Sequence, residues 1–120
     1  MNNKESLEFI QKYFNELFGK RNLAALDVYL DKDYFDDDIS DPEVDHINNS
    51  KEYLQELFRE NPTIGVDVNG AITHDNVISA FIEWYVHENN RKRTITKGVA
   101  IFVVNNQKIL KRHTFIYFNE

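Results

Sequence analysis

The chain has 120 residues, 42% hydrophobic and 28% charged, which suits one packed domain over residues 1–120 and excludes a disordered tail. The 20 acidic and 14 basic residues leave a net charge of −6, which argues against a nucleic-acid-binding surface because phosphate contacts need clustered Lys and Arg. Cysteine is absent, so disulfides, thiolate nucleophiles and cysteine-based zinc sites are excluded. With no apolar run of about 18 residues and no signal-peptide pattern, we expect a cytoplasmic protein without membrane contact.

The first half of the chain has the periodicity of helices. Apolar residues at steps of three and four predict a helix over residues 5–18, and Gly19 is placed to end it as a left-handed cap. Asn22 can cap a short second helix, and the acidic residues 31–46 predict a loop. A third helix is expected to start near Asn49, where Asn-Ser-Lys-Glu has the pattern of a capping box, and to stop before the Asn-Pro that follows it.

The second half predicts four strands, because it is dense in β-branched and aromatic residues that are separated by short polar turns. Gly70 and Gly98 fall inside strands, where we expect bulges or bends. Three helices followed by such a meander predict an α+β domain, with a curved antiparallel sheet that the helices cover on one face. The predicted strands are residues 64–74, 77–88, 92–104 and 108–118.

Both faces of the predicted sheet carry large apolar side chains. Over residues 77–88 one face is entirely apolar and the other mixes aromatic with polar residues, and residues 108–118 repeat this pattern. A sheet covered on one face only would alternate cleanly between apolar and polar residues. We therefore expect a homodimer through the outer sheet face, since exposing these rings to water would be costly. The residues expected on this face are Phe81, Tyr85, Phe115 and Tyr117, with His87 and His113 beside them.

The order of helix, helix, acidic loop, helix and four long strands resembles the nuclear transport factor 2-like superfamily, especially its SnoaL-like branch. The best local matches are residues 33–38 (DYFDDD), 97–102 (KGVAIF) and 107–109 (QKI). The resemblance covers nearly the whole chain and implies a cystatin-like curved sheet that forms a cone with three N-terminal helices and an internal pocket. The superfamily includes ketosteroid isomerases, polyketide cyclases, dehydratases, epoxide hydrolases and proteins that only bind or assemble, so the fold does not fix the function.

Asp38 falls where the ketosteroid isomerases carry their base carboxylate, at the end of the segment after the second helix. A carboxylate at the mouth of an apolar cavity has its charged form desolvated and can act as a general base. The alternative is a solvated acidic loop, because Asp38 stands in a run of acidic residues.

Tyr13 lies on a helix that looks like the one bearing the oxyanion-donating Tyr of the isomerases, where a buried phenol can donate to a ligand carbonyl or enolate. The alternative is a core Tyr whose hydroxyl meets water or a backbone carbonyl. The isomerases also use a protonated Asp beside that Tyr. The matching position here is Ala100, which argues against authentic ketosteroid isomerase chemistry.

Arg112 and Thr114 share the face of the last strand that matches the cavity side in the family. An inward Arg would need a carboxylate partner, which Asp38 or Asp36 could supply, or an anionic ligand in its place. Alternatively, Arg112 lies at the rim with its head in water, since a single bulge would reverse the strand parity.

Trp84, Ile82 and Phe102 are expected to line the cavity wall, whereas His46 and His74 are expected in exposed loop or turn positions. The sequence contains no calcium-loop spacing and no pair of His at helical i, i+4 spacing. It also contains no Gly-rich phosphate loop and no nucleophile elbow. We therefore expect neither a metal nor a cofactor.

These features predict a pocket protein of the SnoaL-like type, which binds a small apolar molecule or one with a carbonyl or carboxylate group. The alternative is a cofactor-free isomerase, cyclase or lyase. In that enzyme Asp38 is the proton-transfer base, Tyr13 polarises a carbonyl and Arg112 fixes a charged group.

Overall fold

The computed structural model describes residues 1–39, 41 and 43–120, and it packs helices against the inner face of a five-stranded sheet. Within these residues, no helix has the length and apolarity that a bilayer crossing requires. The helices are α1 (Asn3–Phe14), a π-helical turn (Asn15–Gly19), α2 (Ala25–Tyr29) and α3 (His46–Glu60). The strands are β1 (Leu30–Asp36), β2 (Gly65–His74), β3 (Val77–Glu88), β4 (Arg91–Asn105) and β5 (Lys108–Asn119).

Helix α1 begins with a capping box that the sequence analysis did not identify. The Asn2 side chain accepts a hydrogen bond from the Glu5 backbone N–H at 2.8 Å, and the Glu5 carboxylate accepts one from the Asn2 N–H at 3.1 Å. The predicted left-handed cap at Gly19 is wrong, because the only residue near this end with a positive φ is Arg21, at 55°. The chain instead closes a wider π-helical turn, in which the Lys20 N–H donates to the Asn15 carbonyl at 2.9 Å.

Strand β1 occupies the first part of the segment that the sequence predicts to be an acidic loop, so that prediction is wrong there. Only Leu30 and Tyr34 of this strand are buried, and the residues between them are charged or polar and point toward water. Charged residues are common on edge strands because they discourage pairing with other chains. A strand with two apolar anchors is therefore hard to distinguish from a polar loop.

Helix α3 begins one turn earlier than predicted. Its N-cap is Asp45, whose carboxylate accepts hydrogen bonds from the N–H groups of Ile47 and Asn48, each at 3.1 Å. The predicted start near Asn49 is therefore wrong, although the end before Pro62 agrees with the structure. As a consequence His46 is the first helical residue and is only 5% exposed, in contrast to the loop position expected for it.

The sheet has the strand order β1-β5-β4-β3-β2, with β1 parallel to β5 and every other pair antiparallel. The predicted four-strand meander is confirmed, and β1 is an addition to it. The register shifts between Val68 and Gly70 and between Lys97 and Gly98, so the irregularities expected at both glycines are present. The α+β cone with a curved sheet is confirmed, and its core lies between α1 and the centre of the inner sheet face.

Candidate functional site

A cavity of about 810 Å³ opens between the inner face of the sheet and the helices α1 and α3. Aromatic and aliphatic side chains form most of its wall, including Phe14 of α1, Leu17 of the π-helical turn and Leu57 of α3. Polar side chains come from the end of β1, the turn after it and β5, and also from α3 (Asn49 and Ser50) and β4 (Thr96). The cavity is thus a largely apolar chamber with a small number of polar groups in its wall, a common arrangement in small-molecule sites.

Helix α1 places Tyr13 in the cavity wall, where the residue is 2% exposed. Its ring packs against Tyr29 and Phe102, with centroid distances of 5.4 and 6.4 Å. Burial raises the pKa of Tyr13 to about 12, with Arg112 opposing the shift and Asp36 adding to it. The phenol therefore stays neutral near pH 7 and retains its O–H as a donor.

Strand β5 places both Arg112 and Thr114 in the cavity wall, which is the face predicted from strand parity. The Nε of Arg112 donates to Thr114 Oγ1 at 3.1 Å. Its guanidinium carbon lies 5.5 Å from the ring centroid of Phe14 and 5.4 Å from that of Phe102, both within cation–π range. Among the described residues, Arg112 has no ion-pair partner, so neither of the two possible partners, Asp36 and Asp38, pairs with it.

Asp38 lines the edge of the cavity but is held by other groups than Arg112. Its Oδ2 accepts a hydrogen bond from the Thr114 backbone N–H at 3.0 Å. Its Oδ1 lies 3.2 Å from Nδ1 of His113, outside hydrogen-bonding geometry. The Asp38 side chain is 41% exposed, so water reaches this carboxylate.

Asp36 is the second carboxylate that lines the cavity. Its Oδ2 accepts a long hydrogen bond of 3.4 Å from the Tyr34 hydroxyl, and its Oδ1 accepts one of 2.9 Å from the Asp38 N–H. Its own backbone N–H donates to Nδ1 of His46 at 3.0 Å, so this ring nitrogen acts as an acceptor. Across the parallel strand pair, the Cα partner of Asp36 is Arg112.

Tyr34 also lines the cavity. We call the polar residues Tyr13, Tyr34, Asp36, Arg112 and Thr114 of the cavity wall the polar cluster. Burial raises the pKa of Tyr34 well above its ordinary value, and Tyr13 and Asp36 raise it further against the opposing effect of Arg112. The sequence indicates Asp36 only as a possible partner of Arg112 and does not mark Tyr34 as a cavity residue. Recognising β1 would have identified both, because residues two apart on a strand share one face.

The remaining residues expected in the wall divide into two groups. Trp84 lines the cavity, whereas Phe102 and Ile82 are 0% and 1% exposed and do not line it in the part of the chain that the structure describes. Phe102 is covered by the rings of Tyr13 and Phe14, at centroid distances of 6.4 and 6.3 Å. Phe102 and Ile82 are therefore core residues.

Two further positions bear on the chemistry of the site. Ala100 is fully buried on β4 and has Thr114 as its Cα partner, so no acid stands at the position that the isomerases fill with Asp. Over residues 1–39, 41 and 43–120, no group of three or more His, Asp or Glu side chains converges as a metal site would require.

Comparisons with known proteins agree with this architecture. A family model described as a SnoaL-like domain matches residues 10–112. No sequence among the curated proteins matches the chain. Among solved structures, TsrD from Streptomyces laurentii is similar with a TM-score of 0.73 at 10% identity, over 98% of this chain and 92% of that one.

Two other solved structures carry names that refer to a reaction. A candidate polyketide cyclase from Bacillus cereus has a TM-score of 0.77 at 13% identity, covering 94% of this chain and 74% of that one. A SnoaL-like polyketide cyclase from Agrobacterium tumefaciens has a TM-score of 0.73 at 10% identity, covering 97% and 92%. Identities this low establish the fold alone. Because the family model spans most of the sequence, the chain belongs to the SnoaL-like domain family of the nuclear transport factor 2-like superfamily.

Proposed function

We propose that this chain binds a small, largely apolar molecule with a carbonyl or carboxylate group, inside the cavity between the sheet and the helices. The observation that supports it most strongly is Arg112, a partly buried guanidinium beside the rings of Phe14 and Phe102. A charge partly removed from water is costly unless another group compensates it. A ligand oxygen at this position would compensate it, because Arg donates readily to carboxylates.

The size and lining of the cavity agree with such a ligand. Its volume of about 810 Å³ lies within the range of roughly 300 to 1,000 Å³ of ordinary small-molecule sites. Apolar side chains would hold the body of the ligand, while Arg112 and Tyr13 would donate hydrogen bonds to its oxygen. The SnoaL-like family assignment supports a pocket protein but does not name a ligand.

Trp84 provides a direct test, since it is the only tryptophan in the chain and it lines the cavity. We expect 3-tert-butylbenzoate, an apolar body with one carboxylate, to change the Trp84 fluorescence saturably. The neutral ketone 3-tert-butylacetophenone should do the same more weakly, and tert-butylbenzene more weakly still. The Trp84→Phe variant should retain calorimetric binding and lose the optical signal. Absence of both heat and fluorescence change at millimolar ligand would overturn the proposal.

A second candidate function is a cofactor-free isomerase, cyclase or lyase that uses a carboxylate base. Its support is the presence of two carboxylates, Asp36 and Asp38, at the edge of a cavity that also contains the neutral phenol of Tyr13. In this chemistry the carboxylate takes a proton from the carbon next to a carbonyl. The C–H electron pair then forms an enolate, whose oxygen Tyr13 would hydrogen-bond.

The exchange of α-protons in D₂O tests this second function without knowledge of the substrate. An enzyme of this kind should accelerate deuterium incorporation into the methyl group of 3-tert-butylacetophenone, observed by NMR. If Asp38 is the base, Asp38→Asn should abolish the acceleration while ligand binding persists. If Asp36 is the base, Asp36→Asn should do so instead. Exchange at the buffer rate in the wild-type protein would exclude this function for that ketone and favour binding alone.

We also propose that a second copy of the chain covers the outer face of the sheet. Phe81, Phe115 and Tyr117 on this face are 39%, 54% and 65% exposed in the isolated chain. Rings exposed in one contiguous region are typical of a protein–protein interface. A twofold dimer would bury them against their own symmetry mates and leave the cavity on the opposite face free for a ligand.

A further inference from the structure

We infer that the cavity selects ligands that carry a hydroxyl group close to the carbonyl or carboxylate group, with the hydroxyl donating to Asp36 while Arg112 donates to the other oxygen. This inference rests on the proposed ligand-binding function and assigns the chemical class of the ligand. It comes from the placement of a negative acceptor directly beside a positive donor in the wall of one cavity.

Asp36 and Arg112 occupy fixed neighbouring positions in the cavity wall. They are Cα partners on β1 and β5, and the backbone N–H of Asp37 donates to the Arg112 carbonyl at 2.9 Å. The His46 imidazole accepts the Asp36 N–H at 3.0 Å and fixes the strand from its other side. Neighbouring strands lie about 4.8 Å apart, so two groups of one small ligand can reach both side chains.

The opposite charges of Asp36 and Arg112 both face the cavity without pairing to each other in the described part of the chain. Arg112 directs its Nε to Thr114 Oγ1, which leaves its two terminal nitrogens without a protein acceptor among the described residues. Asp36 accepts one bond on each oxygen, and that from the Tyr34 hydroxyl is long at 3.4 Å. A carboxylate offers about four acceptor positions, so Asp36 retains capacity for a ligand donor.

The charge of Asp36 decides which ligand groups can lie beside it. A second anionic group beside Asp36 would be repelled, whereas a hydroxyl would donate a charge-assisted hydrogen bond. Tyr13 lines the same cavity, and burial raises its pKa to about 12, so its neutral phenol keeps a proton that it can donate to a ligand oxygen. The polar cluster thus favours one donor and one acceptor side by side, as in a hydroxy-carboxylate or a hydroxy-ketone.

Calorimetry with matched probes tests this selectivity. Wild-type protein should bind 3-tert-butyl-5-hydroxybenzoate about 10-fold more tightly than 3-tert-butylbenzoate, as a hydrogen bond to a charged acceptor would give. It should bind 3-tert-butyl-5-methoxybenzoate, which lacks the donor, no better than the parent compound. The dianion 5-tert-butylisophthalate should bind more weakly than the parent.

Two variants assign the effect to Asp36. Asp36→Asn should reduce the preference for the hydroxyl to about 3-fold or less and should improve isophthalate binding, because the charge is removed. The matched control is Asp37→Asn, the next residue on the chain, which pairs with Lys111 and does not line the cavity. This variant should keep the full preference for the hydroxyl.

The outcomes separate this inference from the proposed function. Equal affinity for the hydroxy and parent compounds in the wild type, with the parent still bound, overturns the inference and leaves ligand binding intact. Absence of binding of every probe overturns both. A preference that survives in Asp36→Asn overturns the assignment to this residue. If Asp36→Asn does not fold, wild-type binding of the isophthalate as tight as that of the parent compound overturns the inference.

Discussion

The Asp38 carboxylate accepts a hydrogen bond from the Thr114 backbone N–H at 3.0 Å, and through it the turn after β1 is fixed to β5 beside the cavity. This contact has a consequence for Arg112, two residues earlier on the same strand. Because the Asp38 carboxylate binds the backbone of β5, it does not pair with the Arg112 guanidinium. That guanidinium instead donates to Thr114 Oγ1 and faces the cavity. The residue that resembles a catalytic base in the sequence thus acts, in this structure, as a tether for the cavity rim.

The tether predicts different effects for two substitutions of Asp38. Asp38→Ala removes the acceptor of the Thr114 N–H and should lower the free energy of unfolding by about 1 kcal/mol. Asp38→Asn retains a carbonyl oxygen in the same position and should cost less than half of that. Urea denaturation of the three proteins measures the difference. An Asn variant as destabilised as the Ala variant would show that the charge, rather than the hydrogen bond, holds the turn.

The close packing at Gly98 predicts that alanine substitutions at Gly98 and Gly70 differ in their effect on stability. A Cβ at Gly98 would lie 2.6 Å from the Phe115 carbonyl oxygen, so Gly98→Ala should destabilise the protein by about 1 to 3 kcal/mol. A Cβ at Gly70 would meet only the Phe81 ring, at 3.7 Å, an ordinary contact. Gly70→Ala should therefore change stability by no more than about 0.5 kcal/mol. Thermal melts of both variants check this, and equal losses would contradict the packing described at Gly98.

The raised pKa of Tyr13 predicts an alkaline loss of stability. The folded protein holds this phenol neutral up to about pH 12, whereas in the unfolded chain it ionises near the ordinary tyrosine pKa of 10.0. The unfolded state therefore binds fewer protons between these values, and stability falls as the pH rises through this window. The loss should reach about 3 kcal/mol relative to Tyr13→Phe, which has no ionisable group there. Parallel pH dependences of the two proteins in denaturant titrations would contradict this assignment.

The exposed rings of the outer sheet face predict a dimer in solution. Sedimentation velocity at micromolar concentration should give the mass of two chains for the wild-type protein. Phe115→Lys should give one chain, because a buried charge opposes association. The matched control is Val28→Lys on α2, which is 65% exposed but lies outside the sheet. That variant should remain a dimer, and a monomeric wild type would rule out this interface.

The sequence predicts the helices and the meander because their apolar residues recur regularly, as at Ile10, Tyr13 and Phe14 or along β3. It does not predict β1, where Leu30 and Tyr34 are the only buried residues among charged ones. The contact between Asp38 and Thr114 joins residues 76 positions apart, so no local pattern specifies it. Phe102 belongs to the core because the rings of Tyr13 and Phe14 cover it, and this packing also joins residues far apart in the sequence.

In the proposed function Arg112 holds the oxygen of a ligand in an apolar cavity, and calorimetry of 3-tert-butylbenzoate with Arg112→Gln measures this role. We predict that this variant binds the carboxylate at least about 10-fold more weakly than the wild type, with a partial recovery in Arg112→Lys, which keeps the charge but not the planar donor geometry. Arg91→Gln, at the exposed start of β4 away from the cavity, should bind it as the wild type does. A folded Arg112→Gln protein with unchanged affinity for the carboxylate would show that Arg112 does not hold the ligand oxygen.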